Sequence, residues 1–239
     1  MNKILTILPV YNKEEFLEGA IESVLQQTHQ NKELVIIDDY STDKSLEIAK
    51  SYEHLSNVTV LQNSENKGCY YTRNKGLEYF KDKEWDYFTI HDADDLSDIN
   101  RFKKVLKYFD PNILGIKTSY IRVNRNHEPQ PTPGGNTVDI YASEGIAFYS
   151  KKVFTLLGYF DNIRSSGDTD YWWRLEALCS KNPQYKVGIS DEVLYYAVSH
   201  EDNLTKTDPI SNRGNYYRKI QEEINQMIQT KDFYRDKFE

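Results

Sequence analysis

The chain has 239 residues, 38% of them hydrophobic, with 19 Tyr and 10 Phe to supply bulk for one substantial core. Its 30 Lys+Arg against 37 Asp+Glu give a formal net charge of -7, which lacks the basic face of a nucleic-acid binder, so no nucleic-acid polymer is expected as a partner. A nucleotide ligand stays open, because a metal can carry positive charge locally.

Ile4-Leu5-Thr6-Ile7-Leu8 reads as a buried strand that Pro9 ends. The start turns polar directly after it and offers no small-residue cleavage site, so no signal peptide is expected. No run approaches the roughly 18 apolar residues of a membrane span. A cytoplasmic protein is the expectation, with peripheral attachment to a membrane as the alternative. Glu15 to Gln27 carries Phe16, Leu17, Ala20, Ile21, Val24 and Leu25 at helical spacing. Leu34 to Ile37 predicts a second strand, ending in Asp38-Asp39. Thr42 to Tyr52 predicts a second helix, with Ser41 or Thr42 as its cap. Val58 to Leu61 is a third strand, Tyr70 to Phe80 a third helix, and Tyr87 to His91 a fourth strand. Strands alternating with helices over short connections predict βαβ units and a mostly parallel, Rossmann-like α/β sheet flanked by helices.

The second half is less regular. Ile113 to Val123 predicts one or two strands, and the Pro/Gly-rich stretch His127 to Gly135 an exposed loop. Asp170 to Cys179 reads as a helix and Val193 to Val198 as a strand. From Asn212 onward, Tyr216, Ile220, Ile224, Met227 and Ile228 form a helical stripe suited to packing on the domain. Cys69 and Cys179 lie far apart, match no metal-ligand spacing, and read as reduced thiols packed as small hydrophobes.

The informative feature is His91-Asp92-Ala93-Asp94-Asp95, three carboxylates within four residues at the end of an apolar strand. In parallel sheets ligands bind outside the carboxyl ends of the strands. Tyr11-Asn12, Asp38-Asp39, Asn66-Lys67-Gly68 and Asp92 to Asp95 all fall at that edge or lead into a helix from it. Hard cations such as Mg²⁺ or Mn²⁺ take one or two carboxylates and fill their remaining positions with substrate phosphates. A solvated turn is the plain alternative for the acidic run, since carboxylates two apart also occur by accident, as in Asp82-Lys83-Glu84.

The ordered set Leu8-Pro9-Val10-Tyr11-Asn12, Asp38-Asp39, Asn66-Lys67-Gly68, Thr72-Arg73-Asn74 and Asp92-Ala93-Asp94, followed by Gly158-Tyr159-Phe160-Asp161 and Gly167-Asp168-Thr169-Asp170-Tyr171-Trp172-Trp173-Arg174, resembles the family 2 glycosyltransferases. It extends from Leu8 to about His200. The resemblance implies the A-type nucleotide-sugar fold, with a catalytic domain over 1–211 and a C-terminal helical appendage over 212–239. Within the domain, 1–95 would be the nucleotide-binding half and 96–211 the acceptor half. It further implies an inverting, metal-dependent enzyme that uses Mn²⁺ or Mg²⁺. Such an enzyme moves a sugar from a nucleotide-diphospho donor, read here as a UDP-sugar, to a hydroxyl on a glycan or similar acceptor.

Carried over residue by residue, Pro9, Tyr11 and Asp39 would hold the base, the carboxylate meeting the imide N–H of uracil and Tyr11 covering the ring. Arg73 would serve the diphosphate, Asp92 the ribose, and Asp94 the metal, with His200 beside it. Asp168 would be the base that takes the acceptor proton. Gly167 stands where the family usually shows Glu, which leaves Asp170 as an alternative base. Of Trp172 and Trp173, adjacent on a helix and so facing different ways, one is expected in the core and the other against an acceptor sugar. Two further readings are a non-catalytic sugar-nucleotide or glycan-binding domain, and a nucleotidyltransferase. The second lacks the early Gly-rich, basic loop such enzymes need. Retention of both Asp94 and Asp168 speaks against the first.

Overall fold

Apolar runs buried on both faces build the centre of the protein. A computed structural model describes residues 2–131, 137–163, 165–201 and 210–236, with side chains of the last segment from 216. Strands β1 (Ile4–Val10), β2 (Lys32–Asp38), β3 (Val58–Gln62) and β4 (Tyr87–Ile90) are parallel to their neighbours and lie side by side in the order β3-β2-β1-β4. Ile4, Leu8 and Val10 of β1, with Leu34 and Ile36 of β2, meet helices α1 (Leu17–Leu25) and α2 (Ser45–Ser51) on one face. Leu5, Ile7, Val35 and Ile37 meet α3 (Cys69–Phe80) on the other. The side-chain period of two along a strand makes this division.

Four further strands extend the sheet. β5 (Leu96–Ser97) leads to α4 (Arg101–Val105), and β6 (Ile113–Val123) is one long strand with a register shift between Ile116 and Thr118. β7 (Tyr141–Ser150) runs antiparallel to both β4 and β6, and is followed by α5 (Lys151–Leu157) and α6 (Gly167–Lys181). β8 (Lys186–Val198) pairs with β6 in parallel and with β5 in antiparallel. The full order is β3-β2-β1-β4-β7-β6-β8-β5, a mostly parallel eight-stranded sheet flanked by helices. Helix α7 (Ile210–Thr230) buries Ile220, Ile224 and Met227 in the cluster that holds α6.

Several boundaries differ from the sequence reading. Pro9 does not end β1; the strand continues to Val10, pairing Pro9 with Ile37. Ile7 accepts from His91 N, and Val10 accepts from Asp39 N on the opposite side. Pro9 alternates with Val10, so its nitrogen faces the side where β4 stops at Ile90, and no ladder bond is lost. Helix α2 starts at Ser45, three residues late, because Ser41 and Thr42 bond to Asn12 instead of capping. Strands β5 and β7 and helices α4 and α5 were not predicted. Of the expected 127–135 loop, residues 132–135 lie outside the described residues. Among the described residues no helix is long and apolar enough to cross a membrane.

Candidate active site

The loops after β1 and β2 are tied to each other reciprocally. Asn12, at φ 50°, donates its backbone N–H to Ser41 Oγ at 3.1 Å and accepts from Thr42 N at 2.8 Å. Lys13 N donates to Ser45 Oγ at 2.8 Å, Glu14 N to Asp43 Oδ2 at 3.0 Å, and Lys44 N to Glu14 Oε2 at 2.9 Å. Tyr11 rises from this floor with 45% of its surface exposed. Asp39, buried beside it, accepts from Asn63 Nδ2 (2.7 Å), Lys67 N (2.8 Å) and Gly68 N (2.8 Å). Its carboxylate thereby holds the turn into α3. Asp38 is fully buried and accepts from Ser41 N at 3.1 Å.

At the end of β4 the acidic run separates into distinct environments. His91 is fully buried, with Nδ1 against the Asp92 carbonyl at 2.9 Å; burial, aided by Arg101, pushes its pKa down to about 3. Asp92 Oδ1 meets Arg73 Nη2 at 3.2 Å. Crowding by protein raises the Asp92 carboxyl above its ordinary range, with Asp94 and Asp168 adding to the shift and Arg73 opposing it. Its side chain still keeps 39% exposure. Asp94 behaves oppositely: burial works against its charge, but the Lys13 ammonium and His200 outweigh it and hold the carboxyl below the usual range. Asp95 turns inward and accepts from Val198 N at 2.9 Å; burial and its two acidic neighbours raise it well above normal.

Asp94 Oδ2 lies 2.7 Å from Lys13 Nζ and 2.8 Å from His200 Nε2, and the His200 ring stacks on Phe16 at 4.6 Å. A carboxylate and an imidazole thus converge on a point to which a cation, the lysine ammonium, is already drawn. Among the described residues no three metal-ligating side chains cluster, so this pair suits a hard divalent ion only where its remaining oxygens come from substrate phosphates.

Arg73 is almost fully buried, with its guanidinium 4.9 Å over the Tyr70 ring. Its Nε and Nη1 groups have no hydrogen-bond acceptor among the described residues. Tyr70 then reaches across to α6, where its hydroxyl donates to Asp168 Oδ1 at 2.9 Å. Asp168 lies in the first turn of α6, where the helix N-terminus favours a carboxylate. The structure therefore joins Asp92, Arg73, Tyr70 and Asp168 in one line of contacts.

Two expectations bear on this geometry, the alternative base and the pair of indoles. Asp170 is fully buried and bonds Arg174 Nε at 2.8 Å, so the alternative base belongs to the interior. Arg174 continues to the carbonyls of Leu157, Tyr159 and Phe233, which makes the pair a brace between helices. Trp172 is 1% exposed, in the core beside Tyr149. Trp173 sits against Tyr217 of α7 at 5.9 Å. Trp172 is thus the expected core indole, and Trp173 is half-buried at the contact between α6 and α7. Sequence reading also passed over Lys13 and Tyr70. Lys13 follows Asn12 in the loop after β1, a position that could have marked it. Tyr70 reads only as an apolar residue of an amphipathic helix.

Comparison with known proteins places this arrangement. The profile of "Glycosyl transferase family 2" matches residues 6–156, more than half of the chain. "Glycosyltransferase GlyA" of Streptococcus pneumoniae serotype 4 is 39% identical over 67 residues, 28% of this chain and 10% of that protein. The chain thus spans only a small part of the length of that curated relative. Among solved structures, S. aureus TarS 1–349 in complex with UDP-GlcNAc superposes with a TM-score of 0.67 at 21% identity, over 87% of this chain and 62% of that one. Mannosyltransferase PcManGT from Pyrobaculum calidifontis, in complex with GDP-Man and Mn²⁺, gives 0.61 at 15% identity, over 82% of this chain and 56% of that one. These likenesses establish the shared A-type fold. With the profile covering β1 through α5 and the fold agreeing, the chain belongs to glycosyl transferase family 2.

Proposed function

We propose that this chain moves a sugar from a nucleotide-diphospho donor, read as a UDP-sugar, to an acceptor hydroxyl with inversion at the anomeric carbon. The observation that carries the reading is the contact line from Asp92 through Arg73 and Tyr70 to Asp168. It joins a guanidinium, whose fork matches phosphate oxygens, to the Asp168 carboxylate from elements distant in sequence, which supports the reading of Asp168 as base. The UDP-GlcNAc in TarS and the GDP-Man in PcManGT support a sugar-nucleotide donor, and the Mn²⁺ in the latter supports a metal.

In this reading Pro9, Tyr11 and Asp39 frame the base, and Asp92 takes the ribose hydroxyls. Asp94 and His200 would hold Mn²⁺ or Mg²⁺, which supplies Lewis-acid stabilisation of the departing diphosphate when bound. Arg73 offers a planar fork of donors to the same phosphates. Asp168 accepts the proton of the acceptor hydroxyl as its oxygen attacks the anomeric carbon. The bond to the diphosphate oxygen breaks, and the nucleotide diphosphate leaves with the electron pair. One base opposite one leaving group gives a single displacement, hence inversion.

The test is a thermal-shift panel of UDP-, GDP-, CDP- and dTDP-sugars, each with and without Mn²⁺. A ligand that binds the native state raises its melting temperature by mass action. A metal-dependent rise with one nucleotide class, followed by release of that nucleotide diphosphate in the presence of hydroxyl acceptors, is the expected result. Absence of any shift across the panel would overturn the donor assignment.

A further inference from the structure

Among the described residues Asp168 is held on one oxygen only. Its Oδ1 accepts from the Tyr70 hydroxyl at 2.9 Å and from Thr169 N at 3.0 Å, whereas Oδ2 makes no hydrogen bond among the described residues. One glycine keeps clear the space that Oδ2 occupies, and a second keeps clear the space of the Tyr70 ring. A Cβ on Gly145 of β7 would stand 2.8 Å from Oδ2, and a Cβ on Gly167 would stand 2.8–2.9 Å from three carbons of the Tyr70 ring. Atoms do not approach that closely without something moving, so a side chain at Gly167 would drive Tyr70 off Asp168. The position where the resembled family usually has an acidic side chain is here given over to the tyrosine ring.

We infer that Tyr70 is the positioning residue for the base: its hydroxyl fixes one oxygen of Asp168 and leaves Oδ2 presented to the acceptor. The inference rests on the reading of Asp168 as base in the proposed transfer. Tyr70 is buried, and burial together with the Asp168 charge keeps its phenol protonated, so the hydroxyl is the donor in the pair. The Arg73 guanidinium over the ring fixes the tyrosine from its other side. The other groups whose charge bears on this site are Cys69 and Arg73 from α3, Asp92 from the loop after β4, and Tyr149 from β7.

The experiment compares wild type, Tyr70→Phe and Gly167→Ala in the full chain, reading nucleotide diphosphate release from the donor identified by the panel above. In Tyr70→Phe the kcat should fall about tenfold while donor KM stays within about twofold, as for a group that acts only on the chemical step. Gly167→Ala, which retains the hydroxyl but displaces it, should lower kcat in the same way and leave donor KM equally unmoved. An unmoved kcat in both variants, with or without a change in melting temperature, overturns the role of Tyr70. Asp168→Asn is measured beside them: transfer that survives in it overturns the base reading itself, and with it the inference. The two failures are thereby told apart.

Discussion

The ammonium of Lys13, from the loop after β1, lies 2.7 Å from Oδ2 of Asp94, from the loop after β4. His200 Nε2 approaches the same oxygen at 2.8 Å. A lysine so placed competes with a divalent ion for one carboxylate. Asp94→Ala should therefore abolish Mn²⁺-supported donor binding, while Lys13→Ala should tighten Mn²⁺ binding severalfold in the absence of donor. Calorimetric titration of Mn²⁺ into each variant checks both. Undiminished metal-supported binding in Asp94→Ala would remove that residue from the metal site.

Asp168 and Asp170 are two residues apart and should fail in different ways. Asp168→Asn is expected to keep donor affinity and lose about 10²–10⁴-fold in transfer rate, the usual contribution of a positioned base. Asp170→Asn breaks a fully buried pair with Arg174 and should lower stability by about 3–5 kcal/mol. Urea unfolding beside single-turnover kinetics separates the two effects. Transfer surviving in Asp168→Asn would rule that carboxylate out as the base.

Trp172 is read as core and Trp173 as a contact between α6 and α7. Trp172→Ala should cost about 3–5 kcal/mol, the range for emptying a buried indole site. Trp173→Phe should leave acceptor KM unchanged. A severalfold rise in acceptor KM for Trp173→Phe would return that side chain to the acceptor site.

His91 gives a pH dependence with a definite sign. Its pKa is about 3 in the folded protein, against about 6.5 in an unfolded chain. The unfolded state binds the extra proton between those values, so the contribution is fully present above about pH 6.5 and is lost as pH falls toward 3. The slope is about 1.4 kcal/mol per pH unit inside that window. His91→Gln should flatten the stability curve between pH 4 and 6, measured by urea midpoints at each pH as a difference from wild type. An unchanged slope would mean that His91 titrates normally.

The first four strands and three helices were legible because parallel strands covered on both faces appear as unbroken apolar runs. β7 was not, and the reason lies in its residues. Only Gly145 to Tyr149 is a continuous buried run; Glu144 pairs with Lys117 at 2.6 Å, and Gly145 leaves room for Asp168. Residues serving a cleft break the alternation that marks a strand. Arg101 hid α4 in a similar way. It is fully buried between the Phe148 and Tyr195 rings and bonds Ser97, Thr89 and the Ile146 carbonyl, so a charge stands where a hydrophobic pattern needs an apolar side chain. At the site, the order of the motifs pointed to Asp92, Asp94 and Arg73. It could not reveal Lys13 against Asp94 or Tyr70 against Asp168, pairs 81 and 98 residues apart in sequence.

The reciprocal bonds among Asn12, Ser41, Thr42, Glu14, Asp43 and Lys44 give the donor side of the cleft a preorganised character. The conformational entropy of ordering these two loops is lost when the chain folds, so little of a ligand's interaction energy is spent on arranging them. Under the proposed function, discrimination between nucleobases would then reside in a fixed shape, and a mismatched base would meet a surface that does not yield to accommodate it.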